Sequence, residues 1–322
     1  MRRLFDKPLL LIVLLLMSGC ATSTREPSPA PTDTSERLVI YAPGTPASIP
    51  VILAARRLSD SGIKAAITIF TDHSKASTLF LRGDVTILVT GLSVGVEFFK
   101  NGVPVQVVNS YVAGLTYLVT YGKRVNSLSD LKGQEVYIPF EGSPIEETTR
   151  YFAEQEGLTW KRDIKPVYSP FASSVELLKQ GKATAVALPE PYVSLVEGQA
   201  NVFISLNYKE KWDALTGSTN GYPQVNAFVK RDWAASHGDL IARFNDELAN
   251  ALQLIQQDPA AAVEQTKAEM GFPPQVLLAS LKRTDWSFSR SDELAQSIRH
   301  YYQIIGKPLD ETFETFFYND HK

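Results

Sequence analysis

The chain of 322 residues contains a single cysteine, Cys20. One cysteine cannot close a disulfide within the chain, complete a cysteine cluster around zinc or act in a CxxC pair. A cysteine nucleophile in the rest of the chain is excluded for the same reason. We therefore expect no disulfide scaffold, no cysteine zinc site and no thiol chemistry in the body of the protein.

Runs of basic residues are also missing. The chain has 32 Lys and Arg residues against 35 Asp and Glu residues. Without residues 1–19, which hold three basic residues and one acidic residue, 29 basic and 34 acidic residues remain, a net charge of −5. An acidic body without a basic stripe argues against nucleic acid as a partner.

Several motifs that carry metal or cofactor chemistry are absent as well. The sequence has no HExxH, no paired metal-ligand spacing, no P-loop and no Rossmann fingerprint. We therefore predict neither a metal site nor a cofactor, and no enzyme activity that depends on them.

The longest apolar run near the N-terminus, Leu9–Met17, has only nine residues. A membrane span needs about 20, so this run is typical of the core of a secretory signal peptide. Basic residues precede it, and the small residues Ser18 and Gly19 lead to Cys20. We predict a signal peptide over residues 1–19, which places the mature protein outside the cytoplasm.

The tetrapeptide MSGC at the end of this segment resembles a bacterial lipobox, in which the cysteine becomes the first residue and carries lipid such as palmitate. The alternative is an ordinary signal peptide with an incidental cysteine. Residues 20–36 are rich in Ser, Thr and Pro and lack apolar periodicity, as flexible tethers do. Lipidation at Cys20 would hold the body at the cell membrane or its periplasmic face.

From Arg37 to Asn220, apolar runs of strand length alternate with helical patterns. Such alternation is typical of α/β domains with parallel sheets, which bind ligands at the loops after the carboxyl ends of their strands. From Asp232 onward the patterns are mostly helical, with Pro259 and Pro274 in the first turns of predicted helices.

Two extended apolar stretches, Tyr111–Tyr121 and Tyr222–Lys230, divide this pattern. We interpret them as two hinge crossovers between two lobes of an α/β protein with a helical C-terminus. Lobe I would comprise residues 37–115 and 221–322, and lobe II residues 116–220. A ligand would bind in the cleft between the lobes.

The stretch QEVYIPFEGSPIEE, which begins at Gln134, combines a strand, a tight loop and a helix start. Ser143 is a good N-cap, Pro144 suits the first helical position, and Glu146 completes a capping box. Such a loop directs backbone N–H groups and the positive end of a helix dipole toward a polar or anionic group. The alternative is an ordinary capped turn without a ligand.

Several segments together resemble an extracytoplasmic solute-binding protein of an ABC importer, in the nitrate, sulfonate and taurine-binding family. The resemblance covers essentially the whole mature chain. The segments that carry it are MSGC, the DLKG segment Leu128–Ile138, the loop EGSP, the run KQGKATAVALPEP at Lys179–Pro191, and Phe316-Phe317-Tyr318.

This resemblance implies the two-lobe type II periplasmic-binding fold and a transport function rather than catalysis. The protein would capture a small-molecule solute between its lobes, close, and deliver it to ABC permease and ATPase subunits. It would act as a monomer, attached to the membrane through the lipid anchor. Closure would accompany binding because a ligand that bridges both lobes favours the closed state.

Carried onto this sequence, the resemblance assigns the ligand site to loops after predicted strands and to the return crossover. The candidate ligand-binding residues are Gly44, Thr45, Ser48, Thr90, Gly91, Ser93, Glu141, Gly142, Ser143, Glu190, Tyr222 and Asn226. Glu190 is expected either to contact ligand or to be a solvated or lobe-bridging acid. For Tyr222 the alternatives are packing at the hinge and stacking on the ligand.

These loops contain no Arg or Lys, although the family often binds anions. Only backbone N–H groups, hydroxyls and helix dipoles remain to hold a negative group, and Glu141 and Glu190 add negative charge. A sulfonate, nitrate or taurine-like solute is therefore no better a fit than a neutral, zwitterionic or cationic heteroaromatic compound such as a vitamin precursor.

Two other functions remain open. Gly91-Leu92-Ser93-Val94-Gly95 matches GxSxG after a predicted strand, the context of the nucleophile in an exported serine esterase. Too few strands precede it, however, and no histidine follows a late strand. The second alternative is a ligand-sensing receptor of the same fold that does not transport. His73 is interpreted as a surface residue at a helix start.

Overall fold

A computed structural model describes residues 37–319 of the chain. The predicted signal peptide, the lipidation site Cys20 and the tether lie outside the described residues. The described residues form one compact unit. In the described range, no helix combines the length and the apolar character that crossing a membrane requires.

Strands and helices alternate through the first segment assigned to lobe I. Its elements are β1 (Leu38–Pro43), α1 (Ser48–Asp60), β2 (Ala65–Phe70), α2 (His73–Arg82), β3 (Ile87–Gly91), α3 (Leu92–Lys100) and β4 (Val105–Gly114). Most of these strands are buried and apolar, and α1 is buried along its first eight residues because it packs between the sheet and the later helices α9 and α10.

The segment assigned to lobe II repeats the alternation. Its elements are β5 (Thr116–Tyr121), β6 (Glu135–Ile138), α4 (Pro144–Gln155), β7 (Lys165–Tyr168), α5 (Phe171–Lys179), β8 (Ala185–Pro189), α6 (Tyr192–Val196), β9 (Val202–Asn207) and α7 (Tyr208–Thr216). A 3-10 turn at Ser129–Leu131 precedes β6.

The remaining segment is mostly helical, as its sequence predicts. Its elements are β10 (Val225–Lys230), α8 (Arg231–Ala234), α9 (Gly238–Gln257), α10 (Pro259–Met270), α11 (Pro274–Lys282), β11 (Asp285–Ser289) and α12 (Ser291–Ile304). A 3-10 helix at Glu311–Phe316 follows.

The described strands form two sheets. The first has six strands in the order β11-β4-β10-β3-β1-β2, and the second has five in the order β7-β6-β8-β5-β9. All strands of the first sheet come from the segments assigned to lobe I, and all strands of the second from lobe II. The exact lobe boundaries stay a prediction. The two sheets and their helices confirm the α/β class and the predicted periplasmic-binding type of fold.

The prediction of parallel sheets holds only in part, because both sheets are mixed. Strands β1, β2 and β3 are parallel, but β10 pairs antiparallel with both β3 and β4. In the second sheet, β5 is antiparallel to β8 and β9. The reason is the path of the chain: it leaves the first sheet through β4 and returns through β10, so the returning strand runs in the opposite direction.

Two elements were not predicted from the sequence. Strand β11 pairs with β4 at the edge of the first sheet, although no strand was predicted in the mostly helical segment from Asp232 onward. Helix α7 follows β9 directly and buries Tyr208 and Trp212. The helical pattern that begins at Asp232 is interrupted, because the chain turns at Ala235–His237 before α9 begins.

The two crossovers lie side by side. The Tyr222 N–H donates to the Ala113 carbonyl oxygen at 3.2 Å, and the Gln224 N–H donates to the Val112 carbonyl oxygen at 3.0 Å. The Gln224 side chain accepts from the Leu115 N–H at 3.1 Å. The outgoing and the returning chain therefore form one hydrogen-bonded ribbon between the two sheets.

Candidate functional site

A cavity lies where the carboxyl ends of strands from both sheets meet. Pro43 and Gly91 end β1 and β3 of the first sheet. In the second sheet, Pro139 follows β6 and Pro189 ends β8. The free volume is about 60 Å³. An apolar cavity of about 150 Å³ holds benzene, so a ligand with a ring requires a wider cleft than this closed conformation provides.

Aromatic side chains form one wall of the cavity around His73. The centroid of its imidazole lies 5.1 Å from the rings of both Phe70 and Phe140, and 6.5 Å from the ring of Phe171. Phe70 ends β2, whereas Phe140 and Phe171 follow β6 and β7 of the second sheet. His73 therefore joins the two sides of the cleft through aromatic contacts.

Burial lowers the pKa of His73 from 6.5 to about 4, and the neighbouring carboxylate of Asp72 offsets only part of this shift. The imidazole is therefore neutral at pH 7. The interpretation of His73 as a surface residue is wrong: the helix start at which it lies faces the cleft rather than solvent, because β2 ends at the same edge as β1 and β3.

A few polar side chains interrupt the apolar lining, namely those of Thr45, His73, Thr90, Ser143 and Gln224. Thr45 is 8% exposed, and its Oγ1 is buried without a hydrogen-bond partner among the described residues. A buried hydroxyl without a partner costs free energy, which a ligand atom that hydrogen-bonds to it would recover. No Arg or Lys is among the described residues that line this cavity.

The loop Phe140–Ser143 is held in place by the side chains of Ser143 and Glu146. The predicted capping box is present only in part, because the Glu146 carboxylate bonds to the residue before the N-cap rather than to the N-cap itself. The Ser143 Oγ accepts from the Glu146 N–H at 3.1 Å, and the Glu146 carboxylate accepts from the Gly142 N–H. Glu146 also accepts from the hydroxyl of Tyr168 at 2.7 Å and from the indole of Trp160 at 3.3 Å. The predicted capped turn is therefore present, and a buried carboxylate fixes its position.

The predicted ligand-binding residues divide into three groups by location. Four line the cavity: Thr45, Thr90, Gly91 and Ser143. Gly44 and Ser48 lie directly beside it, at the turn before α1, where the Ser48 hydroxyl donates to the carbonyl oxygen of Pro43. The others make contacts away from the cavity lining, and whether they contact ligand stays a prediction.

Ser93 and Gly142 meet across the cleft. The Ser93 Oγ donates to the Gly142 carbonyl oxygen at 2.9 Å. Ser93 lies in α3 of the first lobe and Gly142 in the loop before α4 of the second. Because this serine is directed to a carbonyl oxygen rather than to a histidine, its contact gives no support to the esterase alternative.

Glu190 is completely buried and contacts the opposite lobe. One carboxylate oxygen accepts from the Ser194 N–H at 3.1 Å, and the other lies 3.6 Å from the guanidinium of Arg283. Burial raises the pKa of Glu190, against the lowering effects of Ser194 and Arg283. Of the two roles considered for Glu190, these contacts favour the lobe-bridging acid.

Tyr222 packs at the hinge. Its ring lies 5.2 Å from that of Trp212 and 5.8 Å from that of Tyr301, and it does not line the cavity. Asn226 is buried in β10, where its side-chain amide donates to the Pro223 carbonyl oxygen at 3.2 Å. Glu141 is exposed and pairs with Lys161 at 2.8 Å. These contacts account for Tyr222 and Glu141 without a ligand, whereas the buried Oδ1 of Asn226 has no hydrogen-bond partner among the described residues.

Sequence reasoning missed most of the aromatic wall and Gln224. His73, Phe140 and Phe171 all come soon after predicted strands, the position that selected Thr45 and Thr90. Their position after a strand is the signal that could have identified them. Among residues 37–319, no group of His, Cys, Asp and Glu has the arrangement of a metal site.

A family model described as NMT1/THI5 like matches residues 46–262. This range includes most of the cavity lining and both crossovers. Among curated protein sequences, none matches the chain significantly.

Solved structures match most of the chain at low identity. The periplasmic aliphatic sulphonate binding protein SsuA from Escherichia coli is 18% identical, with 88% of this chain and 92% of that chain covered and a TM-score of 0.71. The alkanesulfonate-binding protein SsuA from Xanthomonas axonopodis pv. citri, bound to MOPS, is 16% identical, with coverages of 85% and 94% and a TM-score of 0.68.

A third match is the ligand-binding component of an ABC-type import system from Staphylococcus aureus with zinc bound. It is 12% identical, with coverages of 88% and 97% and a TM-score of 0.71. All three sequence identities are too low for a neighbour's ligand to be assigned to this chain, so these similarities establish the fold alone. All three neighbours are named as ligand-binding proteins or components.

Proposed function

The chain belongs to the NMT1/THI5-like family, and from this premise we propose that it is an extracytoplasmic solute-binding protein of an ABC importer. It captures a small solute in the cleft between its lobes and delivers it to a permease. The observation that carries this proposal is the cavity at the strand ends of both sheets, which contains the unpaired hydroxyl of Thr45.

The lining supports a flat, uncharged or weakly charged solute over a strong anion. Phe140, Phe171 and His73 offer ring surfaces, and stacked or edge-to-face rings attract one another beyond the area they bury. No guanidinium or ammonium group among the described lining residues would neutralise a sulfonate. A heteroaromatic compound with one hydrogen-bonding group opposite Thr45 fits these side chains best.

We also propose that the mature chain is anchored by lipid on Cys20, on the evidence of its MSGC sequence. The variant C20S should then leave the membrane fraction of cells that export the protein. Retention of that variant in the membrane fraction would contradict the proposal.

The solute class is tested by thermal shift with the chain from Arg37 onward. The panel contains sulfonates, nitrate, taurine, aromatic acids, amino acids, pyrimidines and other heteroaromatic compounds. A ligand at about 100 times its dissociation constant adds roughly 2.7 kcal/mol to the free energy of unfolding. We expect heteroaromatic compounds to raise the melting temperature and sulfonates to leave it unchanged.

The variant Thr45→Val separates ligand binding from folding. Removal of the unpaired hydroxyl should raise the melting temperature of the free protein, yet weaken binding by about 1 kcal/mol, roughly fivefold. The matched control is Thr266→Val in α10, whose hydroxyl bonds within its own helix and does not line the cavity. Equal binding in the Thr45 variant, or no stabilising compound in any class, would contradict the proposal.

A further inference from the structure

The glycine at position 91 is not required by its own backbone. Its φ and ψ of −72° and 151° are ordinary extended values that any residue adopts. Glycine is needed for conformation only where φ is positive. The reason for a glycine at this position therefore lies in the space around it.

Pro144 of the second lobe occupies that space. A Cβ on Gly91 would overlap the Cγ of Pro144, and it would lie 3.0 Å from the Cδ and 3.3 Å from the Cβ of the same ring. Gly91 ends β3 in lobe I, and Pro144 begins α4 in lobe II. The backbone of one lobe thus touches a side chain of the other.

The proline side of this contact is rigid. Pro144 directly follows the N-cap Ser143, and Glu146 fixes the preceding loop through Gly142 and through the side chains of Tyr168 and Trp160. A proline ring has no free rotamer that could move aside. Added volume at position 91 therefore moves the lobe rather than the side chain.

The contact also borders the cavity. Gly91 and Pro144 both line it, together with Thr90 and Ser143 on either side of the contact. Two residues beyond Gly91, the Ser93 hydroxyl donates to the Gly142 carbonyl oxygen at 2.9 Å. The distance between the lobes at this point therefore determines both the volume of the cavity and the formation of this hydrogen bond.

We propose that Gly91 sets how far the two lobes close when no solute is bound, by direct contact with Pro144. This inference rests on the proposed binding function. Ser93 assists as a positioning residue whose hydrogen bond forms in the closed state. The GLSVG sequence that suggests a nucleophile is thus a closure contact.

The second glycine of that sequence provides a control. A Cβ on Gly95 would overlap the ring of Phe228, which belongs to the same lobe. Substitution there strains the interior of lobe I without touching lobe II. Gly91→Ala and Gly95→Ala are therefore the same chemical change with different expected results.

The test measures the distance between the lobes by pulsed EPR, without any solute. The chain from Arg37 onward contains no cysteine, so spin labels can be attached at Ser74→Cys in lobe I and Ser173→Cys in lobe II, both exposed positions. The unsubstituted chain should show a short-distance population. Gly91→Ala should shift it to longer distances.

A second substitution at Pro144 distinguishes a specific loss of lobe closure from a general destabilisation of the fold. In the double variant Gly91→Ala with Pro144→Ala, the atoms that overlap are gone, so the short distance should return. Gly95→Ala should lower the melting temperature and keep the short distance. Ser93→Ala should reduce the short-distance population without abolishing it.

Three outcomes would overturn the proposal: an unchanged distance in Gly91→Ala, no rescue by Pro144→Ala, or no short-distance population in the unsubstituted chain. If Gly95→Ala fails to fold, the double variant of Gly91 and Pro144 still tests whether their contact sets lobe closure. Because no solute is present, these distances are independent of the panel experiment. A panel without any stabilising compound would count against the proposed function and leave this result intact.

Discussion

His73 is the residue at which the chemistry of the cleft depends most directly on pH. Its imidazole is neutral among three phenyl rings, and its pKa of about 4 lies below the usual 6.5. Protonation would place a charge in this apolar wall. The side chain therefore contributes to the cleft only in its neutral form.

We expect acid to destabilise the protein through His73. Between pH 6.5 and 4 the unfolded chain binds a proton at this site and the folded chain does not, so stability falls as pH decreases. At 1.4 kcal/mol per pKa unit, the loss reaches at most about 3 kcal/mol at pH 4. Urea unfolding of His73→Gln across this range should show a correspondingly flatter pH dependence.

The control for this prediction is the same substitution at His300, an exposed histidine of α12. His300→Gln should keep the pH dependence of the unsubstituted protein. If His73→Gln also keeps it, His73 does not titrate in the manner that its burial implies.

Residues of the cleft were predicted from the family resemblance, under the rule that ligands bind at loops after the carboxyl ends of strands. Thr45, Thr90, Gly91 and Ser143 were assigned in this way and line the cavity. His73 follows the rule equally well, yet a lone histidine at a helix start has no local mark of burial. Its burial depends on two phenylalanines of the other lobe, and no local pattern encodes such a long-range contact.

Among the secondary-structure elements, α6 and the end of α11 form the clearest contact between the lobes outside the cavity. The guanidinium of Arg283 donates to the Ser194 hydroxyl at 3.1 Å, pairs with Glu197 and faces the buried Glu190. The Arg283 carbonyl oxygen accepts from the hydroxyl of Tyr117 at 2.8 Å. One arginine thus joins three side chains of α6 and the turn before it.

We expect Arg283→Ala to destabilise the protein by about 2 kcal/mol, because it leaves the buried Glu190 without its cation. Arg283→Ala combined with Glu190→Gln should lose less than Arg283→Ala alone, since no uncompensated charge remains. The loss in the single variant should also shrink in acid, because the pKa of Glu190 is raised and the protonated carboxyl carries no charge. Thermal unfolding at pH 5 and pH 8 measures all three.

Arg290→Ala is the matched control for the arginine contact. Arg290 forms an ion pair at 2.9 Å with Asp246, and both side chains are largely exposed, so this loss should be below about 1 kcal/mol. Equal effects of the two arginine variants, or a double variant as unstable as Arg283→Ala, would show that Glu190 does not depend on Arg283.

Most elements could be predicted because their signals are local. Ser143, Pro144 and Glu146 mark one helix start in the sequence, and the structure has the helix there. Strand β11 also has a local signal, which the prediction overlooked: its five residues, DWSFS, alternate between polar and apolar side chains and are half buried at a sheet edge. The segment is short, and the edge of β4 with which it pairs is a property of the fold rather than of the segment.

At the scale of the whole molecule, one apolar cluster extends through both lobes. It includes Phe228 and Phe316 from lobe I as well as Val136 and Phe152 from lobe II. Trp212 of lobe II lies 5.2 Å from the ring of Tyr301 on α12, a direct aromatic contact within this cluster. Separating the lobes completely would therefore expose apolar surface.

We expect the two lobes to unfold in one cooperative transition. Differential scanning calorimetry should give equal calorimetric and van't Hoff enthalpies. Trp212→Ala, which removes the bridging ring at a cost of about 3–5 kcal/mol, should broaden or divide the transition. Phe244→Leu, a core change confined to lobe I, should lower the melting temperature and keep a single transition. Two transitions in the unsubstituted chain would contradict the prediction.

The neighbouring crossovers limit the motion that remains. Ala113 and Tyr222 are hydrogen-bonded partners, so both covalent connections leave the first sheet along a single line. Two lobes joined along one line rotate about that line as a hinge, with little freedom to slide or twist. The displacement of an atom then grows with its distance from the line. A gap of one methyl group near the axis consequently becomes a larger separation at the outer rims, the surfaces from which a membrane partner can distinguish a filled cleft from an empty one.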